Sequence, residues 1–299
     1  MSEQDHKQTV ASDDKQRVAV ITGASGGMGL ATATILAKLH GMKVYLLARN
    51  AEKGQAAVQA VNAMSGRNDA QLISCDLASL RSIHQAADQI MASASAIDVL
   101  VNNAGVITLK REETDDGFER QLGVNHLGHF VLTGRLMPLL KQSDAARIIV
   151  VSSGAHKIGR MNYDDPWLKN SFTIWGAYGR SKLANIWFTK ELASRVAHLP
   201  MTVNALHPGA VATQLGVDRR SGFGSAVYRL LRPFFQTPEQ GASTAIYLAT
   251  TDEASGCSGQ YYYKQKPIAH SAASQDMAEA RRFWEWSEQV TGFTWDSMD

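Results

Sequence analysis

Only two cysteines, Cys75 and Cys257, occur in 299 residues. That is too few for a disulfide framework, so the fold must rest on packing, and a reducing compartment is the expected setting. A surplus of one charge is missing as well: 30 basic against 28 acidic side chains leave a net +2. Binding nucleic acid through its phosphates needs a strong basic excess, so no nucleic-acid partner is expected. Long apolar runs are also missing, and with none of about 18 residues the sequence offers no membrane span. The opening stretch MSEQDHKQTVASDDKQ lacks the apolar core of a leader peptide. Residues 1–16 therefore read as a disordered polar tail, and a cytoplasmic location follows. Neither proline nor glycine and serine gather into a linker, so residues 17–299 are expected to form one catalytic domain.

What is present is an alternation. Short apolar or β-branched runs recur at 18–22, 43–48, 71–75, 97–103, 147–153, 201–207 and 259–263. They are nearly continuous rather than alternating, as expected for strands covered on both faces. Between them lie helical stretches at 27–40, 51–64, 79–94, 117–141, 176–198 and 239–250, rich in Ala, Leu, Gln and Lys. This pattern predicts an α/β fold with a doubly wound parallel β-sheet of about seven strands, flanked by helices. Ligands of such sheets sit at the carboxyl ends of the strands.

The first of those ends reads TGASGGMG, Thr22 to Gly29. Its inner letters satisfy G-x-S-x-G, the elbow that presents a nucleophilic serine, here Ser25. An elbow of that kind normally follows several strands, whereas this one follows the first. As a phosphate turn the position suits: Gly23 for the tight turn, Gly27 for backbone approach, Gly29 for close helix packing. The spacing is G-x-x-x-G-x-G, not the commoner G-x-G-x-x-G.

A second constellation lies further on. In YGRSKLANIWFTKELA, Tyr178 and Lys182 stand four apart, on one face of a predicted helix. A nearby ammonium favours the phenolate and lowers a phenol pKa that starts near 10, making a usable acid/base. Ser152 and Ser153 end the preceding strand, and either could donate to a substrate carbonyl. Asn125 interrupts a predicted helix, where an amide needs something to bond. His126 and His129 lack a third ligand at metal-like spacing, so no metal is expected. His207, at a strand end, reads as structural but close to the site. The aromatic tail, with Phe283, Trp284, Trp286, Phe293 and Trp295, suits core, a substrate pocket or a subunit contact, so a homo-oligomer is among the partners considered.

Together these motifs resemble the short-chain dehydrogenase/reductase family. The resemblance runs from about residue 17 to 263 through Thr22-Gly23-x-x-x-Gly27-x-Gly29, Asp76, Asn102-Asn103-Ala104-Gly105, Asn125, Ser153, Tyr178-x-x-x-Lys182 and Pro208-Gly209. The segments DGFERQLGVNHLGHFVLT, YGRSKLANIWFTKEL and HPGAVATQL are most similar to the retinol-dehydrogenase-like branch. The resemblance implies a Rossmann-type domain, a nicotinamide cofactor and a small-molecule carbonyl or alcohol substrate. It assigns proton exchange to Tyr178, with Lys182 lowering its pKa and binding the nicotinamide ribose. By the same resemblance Ser153 would polarise the carbonyl, and Asn125 would hold a water linking Lys182 to solvent. Gly23, Ser25, Gly27, Met28 and Gly29 would line the phosphates. Asp76 with Leu77 would meet the adenine, and Asn103 with Ala104 and Gly105 the adenosine-side ribose. Pro208, Gly209, Val211 and Thr213 would hold the nicotinamide. A substrate loop is expected at about 210–236, part of which (221–236) could also touch a membrane surface.

Which nicotinamide is used can be read from charge. The position that would carry a ribose-binding carboxylate in an NAD enzyme, 20 past Gly29, is Arg49, and no Asp or Glu occurs between Lys43 and Ala51. A guanidinium there grips a 2′-phosphate, so NADP(H) is expected over NAD(H). The segments 155–177 and 212–236 carry Trp167, Phe172, Trp175, Phe223, Phe234 and Phe235, which predicts a bulky, largely apolar substrate. Two other readings stay open: a serine hydrolase using Ser25, and a non-catalytic dinucleotide sensor.

Overall fold

The structure is a computed structural model that describes residues 16–209 and 236–295. Among the described residues, eight strands form one sheet in the order β3-β2-β1-β4-β5-β6-β7-β8. They are β1 (Val18–Thr22), β2 (Lys43–Ala48), β3 (Gln71–Ser74), β4 (Val99–Asn102), β5 (Ala146–Val151), β6 (Met201–His207), β7 (Tyr261–Tyr263) and β8 (Lys266–Pro267). All pairings are parallel except β7 with β8. The order reverses between β1 and β4, so the switch point lies between Gly23 and Asn103.

Both sheet faces are dry, which explains the continuous apolar runs. Ala19 and Ile21 of β1 pack into one core with α1 (Gly27–His40), α2 (Ala51–Ser65) and α7 (Pro238–Thr250). Val20 points the other way, into a second core with α3 (Leu80–Ser93), α5 (Gly128–Leu140) and α6 (Ile174–Arg195). Helix ends follow local chemistry. Asn50 caps α2 by accepting from Lys53 N, and Thr237 and Gln240 close a capping box on α7. Gly41 ends α1 at φ +63°, a left-handed stop that favours glycine.

Three features depart from the sequence reading. The eighth strand returns through Lys264 and Gln265, both at positive φ, a hairpin turn without its usual Asn-Gly signal. The helix expected over 117–141 is broken. A short turn, α4 (Arg120–Leu122), runs into a π-helical turn (Gly123–Leu127) before α5 begins. Beyond β8 stand α8 (Ala272–Gln275) and α9 (Met277–Thr291), the latter packed against α6. The aromatic tail is core: Trp284 stacks on Phe188, and Trp295 lies 4.7 Å from Trp284 between ring centroids. Trp167, half-buried, stacks on Phe118 and meets Trp286. The apolar residues available on α9 draw it into the core.

Candidate active site

Six strand ends and the helices α1 and α6 meet at the carboxyl edge of the sheet. After β1, Gly23 turns at φ +65° and Gly27 at φ +54°, conformations that side chains resist. A Cβ on Gly29 would fall 2.5 Å from Gly23 O, so the helix can sit this close only on glycine. The N-terminus of α1 has no side-chain cap and no acidic residue in its first turn. Its leading N–H groups are thus available to an anion, and a dinucleotide pyrophosphate fits this cradle. Met28 sends its side chain into the core, leaving its main chain to the turn. Ser25 is half-buried within the turn.

The end of β4 is strapped to this turn. Thr22 Oγ1 accepts from the main-chain N–H of both Asn103 and Ala104 at 2.9 Å. The Asn103 amide donates back to Thr22 O at 2.7 Å, so it braces the turn as well as facing it. A Cβ on Gly105 would stand in ordinary contact, 3.4 Å from Asn125 Oδ1 and 3.5 Å from Lys182 Nζ, which places this glycine against both side chains. Arg49 follows β2 and is exposed. After β3, Asp76 Oδ1 accepts from Ala78 N at 3.0 Å, while the Leu77 side chain enters the core.

At β5 the two serines separate. Ser152 is buried and donates to Lys182 O at 2.7 Å, tying strand to helix. Ser153 caps the 3-10 turn Gly154–Ile158 by accepting from Ala155 N, and its hydroxyl interacts with Tyr178. Helix α6 starts at Thr173, whose hydroxyl accepts from Gly176 N, and presents Tyr178 and Lys182 on one face. Lys182 Nζ lies 5.6 Å from the Tyr178 ring centre and donates to Val151 O at 3.0 Å. Burial lowers its pKa to about 8. The expected lowering of the Tyr178 pKa is not what the site does alone. Burial raises the phenol, and the Ser153 hydroxyl works in the opposite sense. The proton therefore stays on Tyr178 at neutral pH, the form an acid needs.

Asn125 is fully buried and explains the broken helix. Its Oδ1 accepts from Val106 N at 2.7 Å, and its Nδ2 donates to Val106 O and to Ser181 Oγ. Such π turns recur at functional sites because they re-aim one residue. At β6, His207 stacks on Tyr263 and its Nδ1 accepts from Gly209 N. Pro208 and Gly209 border the site; Val211, Thr213 and nearly all of the expected substrate loop lie outside the described residues. Trp175 is 62% exposed and stands edge-on to Tyr178 at 6.4 Å.

Sequence reasoning missed some participants. His156 donates from Nδ1 to Ser153 O at 2.8 Å and accepts from Ser271 N, so the C-terminal segment steadies the serine. Arg180, on α6 between Tyr178 and Lys182, forms a fully buried pair with Glu119 at 3.0 Å. No motif marks either, since the partners are distant in sequence. His126 and His129 bond Ser287 and the Thr22–Asn125 network respectively.

Comparison with known proteins now decides the family. The model of the short chain dehydrogenase family matches residues 17–222. The chain belongs to that family. It is 40% identical over 294 residues to mouse retinol dehydrogenase 14, covering 92% of this chain and 86% of that one. It is 39% identical over 283 residues to human retinol dehydrogenase 13, covering 92% and 85%. Among solved structures, an uncharacterised protein from Mycobacterium paratuberculosis superimposes with a TM-score of 0.75 at 33% identity, covering 94% and 95%. A short chain dehydrogenase from Shigella flexneri complexed with NADP gives 0.65 at 25% identity, covering 84% and 97%. This short-chain dehydrogenase is thus an oxidoreductase of the retinol-dehydrogenase-like branch. Among the described residues, no helix is long and apolar enough to cross a membrane.

Proposed function

We propose that this dehydrogenase is an NADP(H)-dependent enzyme that interconverts a carbonyl and an alcohol on a bulky, largely apolar substrate, with Tyr178 as the acid/base. The observation that carries this reading is the meeting of Ser153, Tyr178 and Lys182 at the carboxyl edge, beside the glycine turn. When bound, the cofactor supplies or takes up the hydride. The chain does the rest. The N–H groups of Gly27, Met28 and Gly29 would hold the pyrophosphate, with the Ser25 hydroxyl as a further donor, and Arg49 would bind the 2′-phosphate. Asp76, Asn103, Ala104 and Gly105 border the adenosine side, and Pro208 and Gly209 the nicotinamide side. Ser153 donates to the substrate oxygen and orients it. Tyr178 gives its proton to that oxygen during reduction and recovers it during oxidation. Lys182 holds positive charge beneath the phenol as the proton leaves.

Four observations support the details. Arg49 has no carboxylate beside it in its segment, and the Shigella relative was solved with NADP. The relatives' names specify retinol, an apolar alcohol. Trp175 offers an exposed ring next to Tyr178. The hydrolase reading loses its base: the histidine nearest the turn, His129, is spent on Thr22 and Asn125. A sensor has no use for the Ser153–Tyr178–Lys182 set. With two cysteines and no described helix able to cross a membrane, the reading includes a cytoplasmic enzyme.

Replacing Tyr178 by Phe tests the proton assignment. Tyr178→Phe should abolish carbonyl reduction, below about 10⁻² of wild-type kcat, with NADPH affinity kept within a few-fold. Substantial residual turnover would reject Tyr178 as the acid.

A further inference from the structure

His129 was read from the sequence only as a poor metal ligand, yet both of its ring nitrogens are committed. Nε2 lies 2.8 Å from Thr22 Oγ1 and Nδ1 lies 3.1 Å from Asn125 O, with the ring 2% exposed. A carbonyl can only accept, so Nδ1 carries the proton and donates to Asn125. Nε2 is then the acceptor, and the Thr22 hydroxyl proton has two acceptors within reach, this nitrogen at 2.8 Å and Val101 O at 3.3 Å, of which the nitrogen is the closer. That hydroxyl oxygen already takes the N–H groups of Asn103 and Ala104, which leaves no room for a second ring proton. Burial keeps the ring neutral, with a pKa of about 4.

The two ends of this ring reach different parts of the machinery. On one side Thr22 leads directly into Gly23 and the phosphate cradle. On the other, Asn125 bonds Ser181 Oγ at 2.9 Å, and that hydroxyl donates to Tyr178 O at 2.8 Å. We propose that His129 is a positioning residue whose neutral, Nδ1-protonated ring locks the cofactor turn to the π turn that places Asn125 and, through Ser181, Tyr178. The proposal rests on the oxidoreductase reading given above for its kinetic arm, while its binding arm stands on the cradle alone.

Two substitutions separate the two bonds, because an Asn amide reaches the place of Nδ1 and a Gln amide that of Nε2. His129→Asn keeps the donor to Asn125 and loses Thr22. It should weaken NADPH binding about tenfold, measured by fluorescence titration, with kcat kept within about threefold. His129→Gln keeps Thr22 and loses Asn125, and should lower kcat about tenfold with the NADPH Kd kept within about threefold. Thr22→Val breaks the same bond from the other end and also strips Asn103 and Ala104 of their acceptor, so it should weaken NADPH at least as much. Thr22→Ser keeps the hydroxyl and should leave the Kd within about threefold; this pair covers a His129→Asn protein that fails to fold. Parallel changes of both quantities in both variants, or no change in either, would overturn the proposal. So would an unaltered Kd in Thr22→Val. If the wild type binds NADPH but reduces no carbonyl, the functional reading fails while the Kd contrast between the variants still decides the bridge. If the wild type binds no nicotinamide dinucleotide, both fail.

Discussion

At the scale of single residues, the account depends on charges being where their chemistry needs them. Arg49 is exposed at the end of β2, where its guanidinium can form paired, charge-assisted hydrogen bonds with a 2′-phosphate. Arg49→Ala should therefore weaken NADPH by about 10- to 100-fold and barely affect NADH. Isothermal titration of both cofactors checks this, and equal losses would remove the basis for the NADP reading. Tyr178 and Lys182 show how burial shapes a pair. Each group's charged form is disfavoured, so the phenol rises while the ammonium falls to about 8. Their four-residue spacing was visible in the sequence; the direction of the tyrosine's shift was not, because desolvation depends on what α6 packs against.

At the scale of elements, most of the fold was legible. β1, β2 and β6 and α1 occupy the ranges their apolar patterns predicted, since strands buried on both faces cannot be disguised. The π turn at Gly123–Leu127 was not legible as a break, although the odd amide at Asn125 was its signal. Its cause is a pair of hydrogen bonds to Val106, 19 residues away in sequence. α9 escaped because its aromatic residues allow core, pocket or contact equally, and only its docking on α6 decides among them. The same docking sets Trp286 of α9 against Trp167. Trp175, in the first turn of α6, is exposed beside Tyr178. The site's glycines and its Tyr–Lys pair were readable because each is fixed by local backbone geometry. The roles of His129 and His156 were not, because each depends on two partners brought together by tertiary structure.

At the scale of the whole molecule, buried imidazoles link stability to pH, His126 and His129 most strongly and His156 in the same direction. Burial lowers His126 to about 3 and His129 to about 4, both below the unfolded value of 6.5. In that window the unfolded chain binds protons that the folded chain refuses. Stability is therefore complete above pH 6.5 and falls as the pH drops towards 4, by about 1.4 kcal/mol per pH unit for each imidazole. Urea unfolding at a series of pH values should show this slope, and a flat profile between pH 6.5 and 4 would contradict the burial of both rings in neutral form. The central claim concerns what the assembled site converts. It is tested most directly by following cofactor oxidation by the wild-type enzyme with ketones, aldehydes and quinones of graded size, once with NADPH and once with NADH. The account predicts a kcat/KM that rises with apolar size and is higher with NADPH. Preference for NADH, better turnover of small polar ketones, or no carbonyl reduced at all would contradict it.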